Sequence, residues 1–350
     1  MELVKKAAAI LLILLFALSA SGCGKNEKTR YDAQFLQLFD TKSELVAYMD
    51  SKEEFTDFSN LIYNNLKEYD HLYDIYNNYP GINNLKTIND NAGKKPVKVD
   101  KRIIGLLQLA RKEDEVTNGS CNVAFGAVLR LWHQYREDGI NDPEHAQLPP
   151  MEELKEASKH TDINQVIIDE KASTVYLKDP EMSLDVGAVA KGYATEQVAE
   201  LAEKAGYTSA LLSIGGNVRA IGEKGINHEL WNVGIQNPDL GSEKTSLTTV
   251  LLREQSLVTS GIYERYYTVN GKNYHHIIDP KTLMPSAYYK SVSIITRDSG
   301  VADALSTALF NMPLSQGMTY VDSLSGTEAL WVMLDGRIQY SSHFHDLEKS

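Results

Sequence analysis

The stretch Ser213-Ile214-Gly215-Gly216-Asn217-Val218-Arg219 decides how this chain folds. An apolar run from Ala210 to Ile214 enters the double glycine, and a second run from Val218 to Ile221 leaves it. The double glycine after a strand reads either as a tight turn or as a place for close backbone approach to a ligand. The same grammar recurs along the chain. Phe35 to Met49 reads as strand, turn and strand, and Gln165–Asp169 with Thr174–Lys178 as a hairpin. Trp231–Gln236, Thr248–Leu252, Val258–Tyr263 and Ser291–Thr296 alternate as strands. Tyr266–Val269 and Tyr274–Ile278 bracket the turn Asn270-Gly271, and Ala329–Leu334 with Ile338–Ser341 bracket Asp335-Gly336. Helical spacing marks Phe55–Tyr76, Lys101–Val116, Ala124–Tyr135, Met151–Ser158, the later part of Asp185–Lys204, Val301–Phe310 and a helix end at Met318–Val321. Asn77–Gly93 and Asp138–Pro150 read as loops. The sum is an α+β fold, mostly antiparallel sheets with helices covering one side.

The chain has 350 residues, 43% of them hydrophobic, enough to bury a real core in one large or two intimately joined domains. A formal net charge of −12 speaks against a nucleic-acid partner, because no basic phosphate-tracking surface is available. At the start, Lys5 and Lys6 precede an apolar run from Ala7 to Leu18, the length of a signal-peptide core and too short to span a bilayer. It leads through Ser19-Ala20-Ser21-Gly22 to Cys23, an arrangement that resembles a bacterial lipobox, with Ala20 where leucine is usual. The expected organisation is a lipoprotein signal peptide over 1–22, a lipidated tether over 23–34 and a catalytic domain over 35–345. The expected location is the outer face of the cell membrane, held by lipid on Cys23. Cys121 is the only other cysteine and reads as a small buried hydrophobe.

Three further stretches carry chemistry: Ser183-Leu-Asp-Val-Gly-Ala-Val-Ala-Lys-Gly-Tyr193, His276-Ile-Ile-Asp-Pro280 and Ala302-Asp-Ala-Leu-Ser-Thr307. Each sets a carboxylate beside an apolar element, where an unpaired charge is costly. Asp303 and Thr307 are four apart on an expected helix and share one face, so they can hold a hard cation with oxygen ligands. Asp303 as an N-cap is the plainer alternative. Asp185, Gly187, Lys191 and Gly192 form a glycine loop entering a helix, a place where free N–H groups and a lysine meet an anion. His276, expected in a strand, is either a general base near neutral pH or a structural histidine bonded to a backbone carbonyl. His275 is taken as a surface residue.

In order and spacing these stretches resemble the FAD:protein FMN transferases, the ApbE family of flavin-handling lipoproteins. The matching segments are Asp185 to Tyr193, Ile214 to Arg219, Ser260 to Arg265, His276 to Pro280 and Ala302 to Ala308. The resemblance implies a T-fold-like catalytic domain with FAD in a cleft between two subregions. It also implies Mg²⁺ held by Asp303, Thr307 and the Ala188 carbonyl. The FAD contacts it implies are Phe39, Ser120, Cys121, Asn122, Asp185, Lys191 and Ile277. The reaction it implies moves FMN from FAD to a threonine hydroxyl in a D-x-x-[ST]-[GA]-A-T-like stretch of another protein, releasing AMP. His276 is the candidate for accepting the threonine proton, with Arg219 or Arg265 steadying phosphate charge. The chain departs from the family at Cys121 and Asn122, where phenylalanine and aspartate are usual. It departs again at Leu283 and Met284, where glycine and an aromatic are often found. An FAD pyrophosphatase using water, and a flavin-binding lipoprotein without catalysis, are the competing readings.

Overall fold

The computed structural model describes residues 28–349. The signal peptide and Cys23 lie outside the described residues. In chain order the elements are β1 (Thr29–Leu38), β2 (Thr41–Met49), α1 (Lys52–Tyr73), α2 (Leu85–Asp90), β3 (Val97–Lys98), α3 (Lys101–Val116), α4 (Gly126–Asn141) and α5 (Met151–Ala157). They continue with β4 (Val166–Asp169), β5 (Thr174–Leu177), α6 (Ala190–Lys204), β6 (Ser209–Ile214), β7 (Asn217–Gly222), β8 (Trp231–Gln236), β9 (Ser246–Leu252) and β10 (Ser256–Gly261). The last are β11 (Tyr266–Val269), β12 (Lys272–His275), β13 (Tyr289–Thr296), α7 (Ser299–Phe310), α8 (Leu314–Asp322), β14 (Glu328–Met333) and β15 (Ile338–Tyr340).

Eight strands form one sheet in the order β1-β2-β6-β7-β10-β13-β14-β15. Every neighbouring pair is antiparallel. The hairpin at Gly215-Gly216 is its pivot: Ile214 faces Asn217, and both glycines take positive φ, 56° and 86°, which a side chain would resist. Asn270 and Gly271 likewise take the left-handed values of a two-residue turn between β11 and β12.

Period-two burial splits the sheet between two cores. Leu45, Ala47, Leu212, Ile214, Val258 and Ile294 face α1, α6 and α7. Ala220, Leu257, Ile295, Leu330 and Val332 face the β8–β9 ribbon and Phe344. Both faces are therefore covered, the second by a ribbon rather than by helices. Helix α1 starts where Ser51 accepts the Glu54 N–H at 3.1 Å and buries Phe55, Phe58, Ile62, Leu66 and Tyr69 against the sheet. A third apolar cluster, with Phe125, Val128, Trp132, Leu154, Tyr267, Val269, Ile278 and Leu283, joins α4 and α5 to the β11–β12 hairpin.

Several sequence-based boundaries shift. Strand β1 begins at Thr29, inside the stretch read as tether, because its residues complete the register with β2 from Thr29↔Met49 onward. The segment 77–93 contains α2, whose start is fixed by a capping box between Asn84 and Thr87. Helix α4 runs six residues past Tyr135, to Asn141. Strand β12 stops at His275, so His276 lies just beyond the hairpin rather than within a strand.

Candidate active site

Helices α6 and α7 meet at the heart of the predicted motifs, and glycine lets them do so. A Cβ on Gly192 would stand 2.2 Å from the Ser299 carbonyl oxygen and 2.5 Å from the Asp303 Cβ. Asp298 caps α7, accepting the N–H groups of Gly300 at 2.7 Å and Val301 at 3.1 Å. The capping role weighed for Asp303 thus belongs to Asp298, and Asp303 is an interior residue of the helix, 4% exposed.

Asp303 Oδ2 accepts the Gly192 N–H at 2.8 Å, and Oδ1 lies 4.0 Å from Lys191 Nζ. In a regular helix the Gly192 N–H would go to the Ala188 carbonyl four residues back. Diverted to Asp303, it leaves that carbonyl without its helical partner. Ser306 Oγ donates to the Asp303 carbonyl at 2.8 Å, the acceptor a threonine at 307 would ordinarily take. Thr307 Oγ1 accordingly makes no hydrogen bond among the described residues. Burial pushes the Asp303 carboxyl above the usual carboxylate range, while Lys191, the Gly192 N–H and Asn217 act the other way. The Asn217 amide stands near the carboxylate without completing a hydrogen bond, and its Nδ2 is buried and unpartnered.

These oxygens suit a hard cation. Among the described residues no group of three or more His, Cys, Asp or Glu is placed to hold a metal unaided. An ion here would need the hydroxyl, the carbonyl and ligand phosphates, the mixed oxygen set Mg²⁺ accepts.

The turn holding Phe39 and Asp40 lies at the same end of the sheet as Gly215, which approaches the Thr41 side chain. Phe39 and Asp40 take φ of 53° and 52°, and Asp70 Oδ1 secures the Phe39 N–H at 2.8 Å. The segment 120–125 lies against 183–185, with the Asp185 N–H on the Val123 carbonyl at 2.9 Å. Cys121 is 1% exposed, as expected of a small hydrophobe, and burial drives its thiol upward. Ser120 is buried beside it. Asn122 is occupied locally, accepting the Ala124 N–H at 2.7 Å and donating to the Thr161 carbonyl at 2.9 Å. Ile277 faces the main core, its N–H on His275 Nδ1 and its carbonyl on the Ser286 N–H, so both backbone groups are engaged.

His276 Nδ1 bonds the Arg265 carbonyl at 3.1 Å. A carbonyl only accepts, so Nδ1 carries the proton and Nε2 keeps its lone pair. Burial, then the charges of Arg265 and Lys191, lowers this imidazole to about 3, and it is neutral near pH 7. His275 corrects the surface assignment: its Nε2 donates to the Ser286 carbonyl at 2.9 Å and its ring packs edge-on to Phe310. Leu283, where the family often has glycine, takes φ 61°. Its buried side chain and the Trp132 Nε1 bond to its carbonyl at 3.0 Å offset that conformation.

Arg219 is not a phosphate ligand. It is 2% exposed, and its Nε and Nη2 bind the two Glu196 oxygens at 3.0 and 3.1 Å. Nη2 also reaches Glu203 at 3.2 Å, and Glu196 accepts the Ser299 N–H at 2.8 Å. The cluster fastens β7 to α6 and to the start of α7. Glu196→Ala strands a buried guanidinium and should cost about 3–5 kcal/mol, whereas Glu196→Met with Arg219→Met should recover more than half of it. Urea unfolding midpoints of the three proteins measure this; a mild single variant would contradict the assignment.

Sequence reasoning missed His133, Tyr76 and Asn217. Their types are common on helices and turns, and only the fold brings them to the site.

The ApbE family model matches residues 39–331. An FAD:protein FMN transferase of Treponema pallidum is 36% identical over 275 residues, 75% of this chain and 74% of that protein. The crystal structure of the ApbE protein of Thermotoga maritima is 30% identical and superposes with a TM-score of 0.80, covering 92% of this chain and all of that one. The flavin transferase ApbE of Vibrio cholerae, at 21% identity, shares the fold with a TM-score of 0.72 over 91% of this chain and 99% of that one. The chain belongs to the ApbE family.

Proposed function

We propose that this chain is an FAD:protein FMN transferase that moves FMN from FAD to a threonine hydroxyl of another protein and releases AMP, with Mg²⁺ at Asp303. The observation that carries the reading is three oxygens left without hydrogen bonds among the described residues: Asp303 Oδ1, the Thr307 hydroxyl and the Ala188 carbonyl. Pure flavin binding would not need them. The relatives' activity supports the same reading. Bound Mg²⁺ neutralises diphosphate charge and polarises phosphorus for attack.

The chain's own groups do the rest. The N-terminal turn of α6 and Lys191 face anionic oxygens. The threonine oxygen forms a bond to the FMN-side phosphorus, the bond from that phosphorus to the AMP oxygen breaks, and His276 Nε2 takes the hydroxyl proton. An anionic diphosphate beside His276 raises its basicity from the low value of the free protein. The signal-like start and Cys23 support a lipid anchor on the outer face of the membrane. No helix among the described residues is long and apolar enough to cross one.

Incubation with FAD, Mg²⁺ and a protein bearing the acceptor threonine, followed by mass spectrometry and AMP measurement, tests the reading. A covalent FMN adduct is the expected result; AMP without an adduct would point to a pyrophosphatase. In the same assay His276→Gln should keep FAD affinity within a few-fold and lose about 10²-fold or more in transfer. Unchanged turnover would remove His276 from the mechanism.

A further inference from the structure

Three segments distant in sequence converge at one edge of the site. Tyr76 follows α1, His133 lies in α4, and Asp185 precedes α6. Tyr76 OH and His133 Nδ1 are 3.0 Å apart, and His133 Nε2 faces Asp185 Oδ2 at 3.8 Å. Both side chains of the second pair are largely buried, at 20% and 10% exposure. We propose that His133 is a positioning residue: held by Tyr76 in one tautomer, it turns its Nε2–H toward Asp185 and sets that carboxylate for FAD.

The proton placement follows from the partners. The Asp185 carboxylate only accepts, so the His133 proton belongs on the Nε2 that faces it, and Nδ1 accepts from the Tyr76 hydroxyl. Burial, outweighing the pull of Asp185, keeps this imidazole neutral, and Arg136 and Arg265 act in the same direction. A neutral N–H dipole orients a carboxylate without discharging it against a full positive charge. The other Asp185 oxygen already accepts the Gly187 N–H at 2.9 Å, so the two bonds together would fix the plane of the group. At 3.8 Å the histidine contact is longer than a hydrogen bond, and such contacts commonly tighten when ligand binds.

Tyr76 is itself held. Asp74 Oδ1 accepts the Tyr76 N–H at 2.6 Å and the Asn77 N–H at 2.9 Å, and Oδ2 accepts the Tyr79 hydroxyl at 2.7 Å. The loop is thereby tied before its phenol reaches α4.

The proposal rests on Asp185 contacting FAD, and the experiment separates the two. FAD dissociation constants come from flavin fluorescence with Mg²⁺ present, and KM for FAD and kcat from transfer to the acceptor, for the full-length chain. His133→Ala is expected to raise both Kd and KM about tenfold, with kcat within about twofold. Tyr76→Phe should raise them about threefold. The double variant should be no weaker than His133→Ala, since Tyr76 acts only through the histidine. His133→Gln, which retains an N–H donor, should recover most of the affinity and keeps the test open if the alanine variant folds poorly. Multiplying effects of Tyr76→Phe and His133→Ala, or failure of glutamine to rescue, would overturn the proposal. So would an unmoved Kd in the histidine variants alongside a weakened Asp185→Asn. If Asp185→Asn binds FAD normally, the assignment of Asp185 fails and the proposal with it, while transfer activity itself can stand.

Discussion

Asp303→Asn is expected to abolish transfer while leaving the protein as stable as before, or more so. The asparagine carbonyl still accepts the Gly192 N–H, so no buried donor is orphaned. What disappears is a charge that burial already disfavours, since the carboxyl is pushed above its usual range inside α7. The folded state therefore loses a penalty, and the site loses the anion proposed to hold a cation. A fall in transfer of at least 10²-fold, with a melting temperature equal to or above that of the parent, is the predicted pair of results. Thermal unfolding and AMP release on one preparation supply both. Activity within tenfold of the parent would take Asp303 out of the site. Folding lost along with activity would make it structural.

Gly192→Ala is expected to be among the most damaging single substitutions in the chain. On an ordinary helix that exchange gains up to about 1 kcal/mol. Here the added carbon would stand 2.2 Å from the Ser299 carbonyl and 2.5 Å from the Asp303 Cβ, where backbone cannot yield as a flexible side chain can. Overpacking of this kind costs on the order of 3 kcal/mol, which exceeds the propensity gain and reverses the sign. Moving α7 away from α6 would also pull Asp303 off the Gly192 N–H. Denaturant unfolding should show the loss directly, and FAD turnover should fall with it. A neutral result would mean that the two helices approach less closely than the structure places them.

The architecture was largely legible because strands and turns announce themselves locally. Asn270-Gly271 marked its hairpin, and the apolar runs on either side of Gly215-Gly216 marked two strands. Where two signals compete, reading fails. The Asn-rich segment 77–93 looked like loop although Asn84 was capping α2. For the site, the order of motifs led to Asp303, Thr307 and Lys191, and the structure sets Lys191 4.0 Å from Asp303. Side-chain partners were beyond reach. Arg219 looked like a cation beside a glycine turn, and only the packing of α6 against β7 brings Glu196 to it. His275 and His276 are adjacent, yet one is locked onto Ser286 and Phe310 while the other keeps a free nitrogen, a difference set by elements far away in sequence.

Helix α4 packs into the third apolar cluster and also touches both chemical loops. A Cβ on Gly126, in its first turn, would stand 2.3 Å from the Ser183 carbonyl oxygen. Its Trp132 holds the Leu283 carbonyl, and its His133 faces Asp185. The segment leading to Asp185 and the segment leaving His276 are thus bolted to a single beam. One helix therefore fixes where the segment before Asp185 and the segment after His276 stand relative to each other.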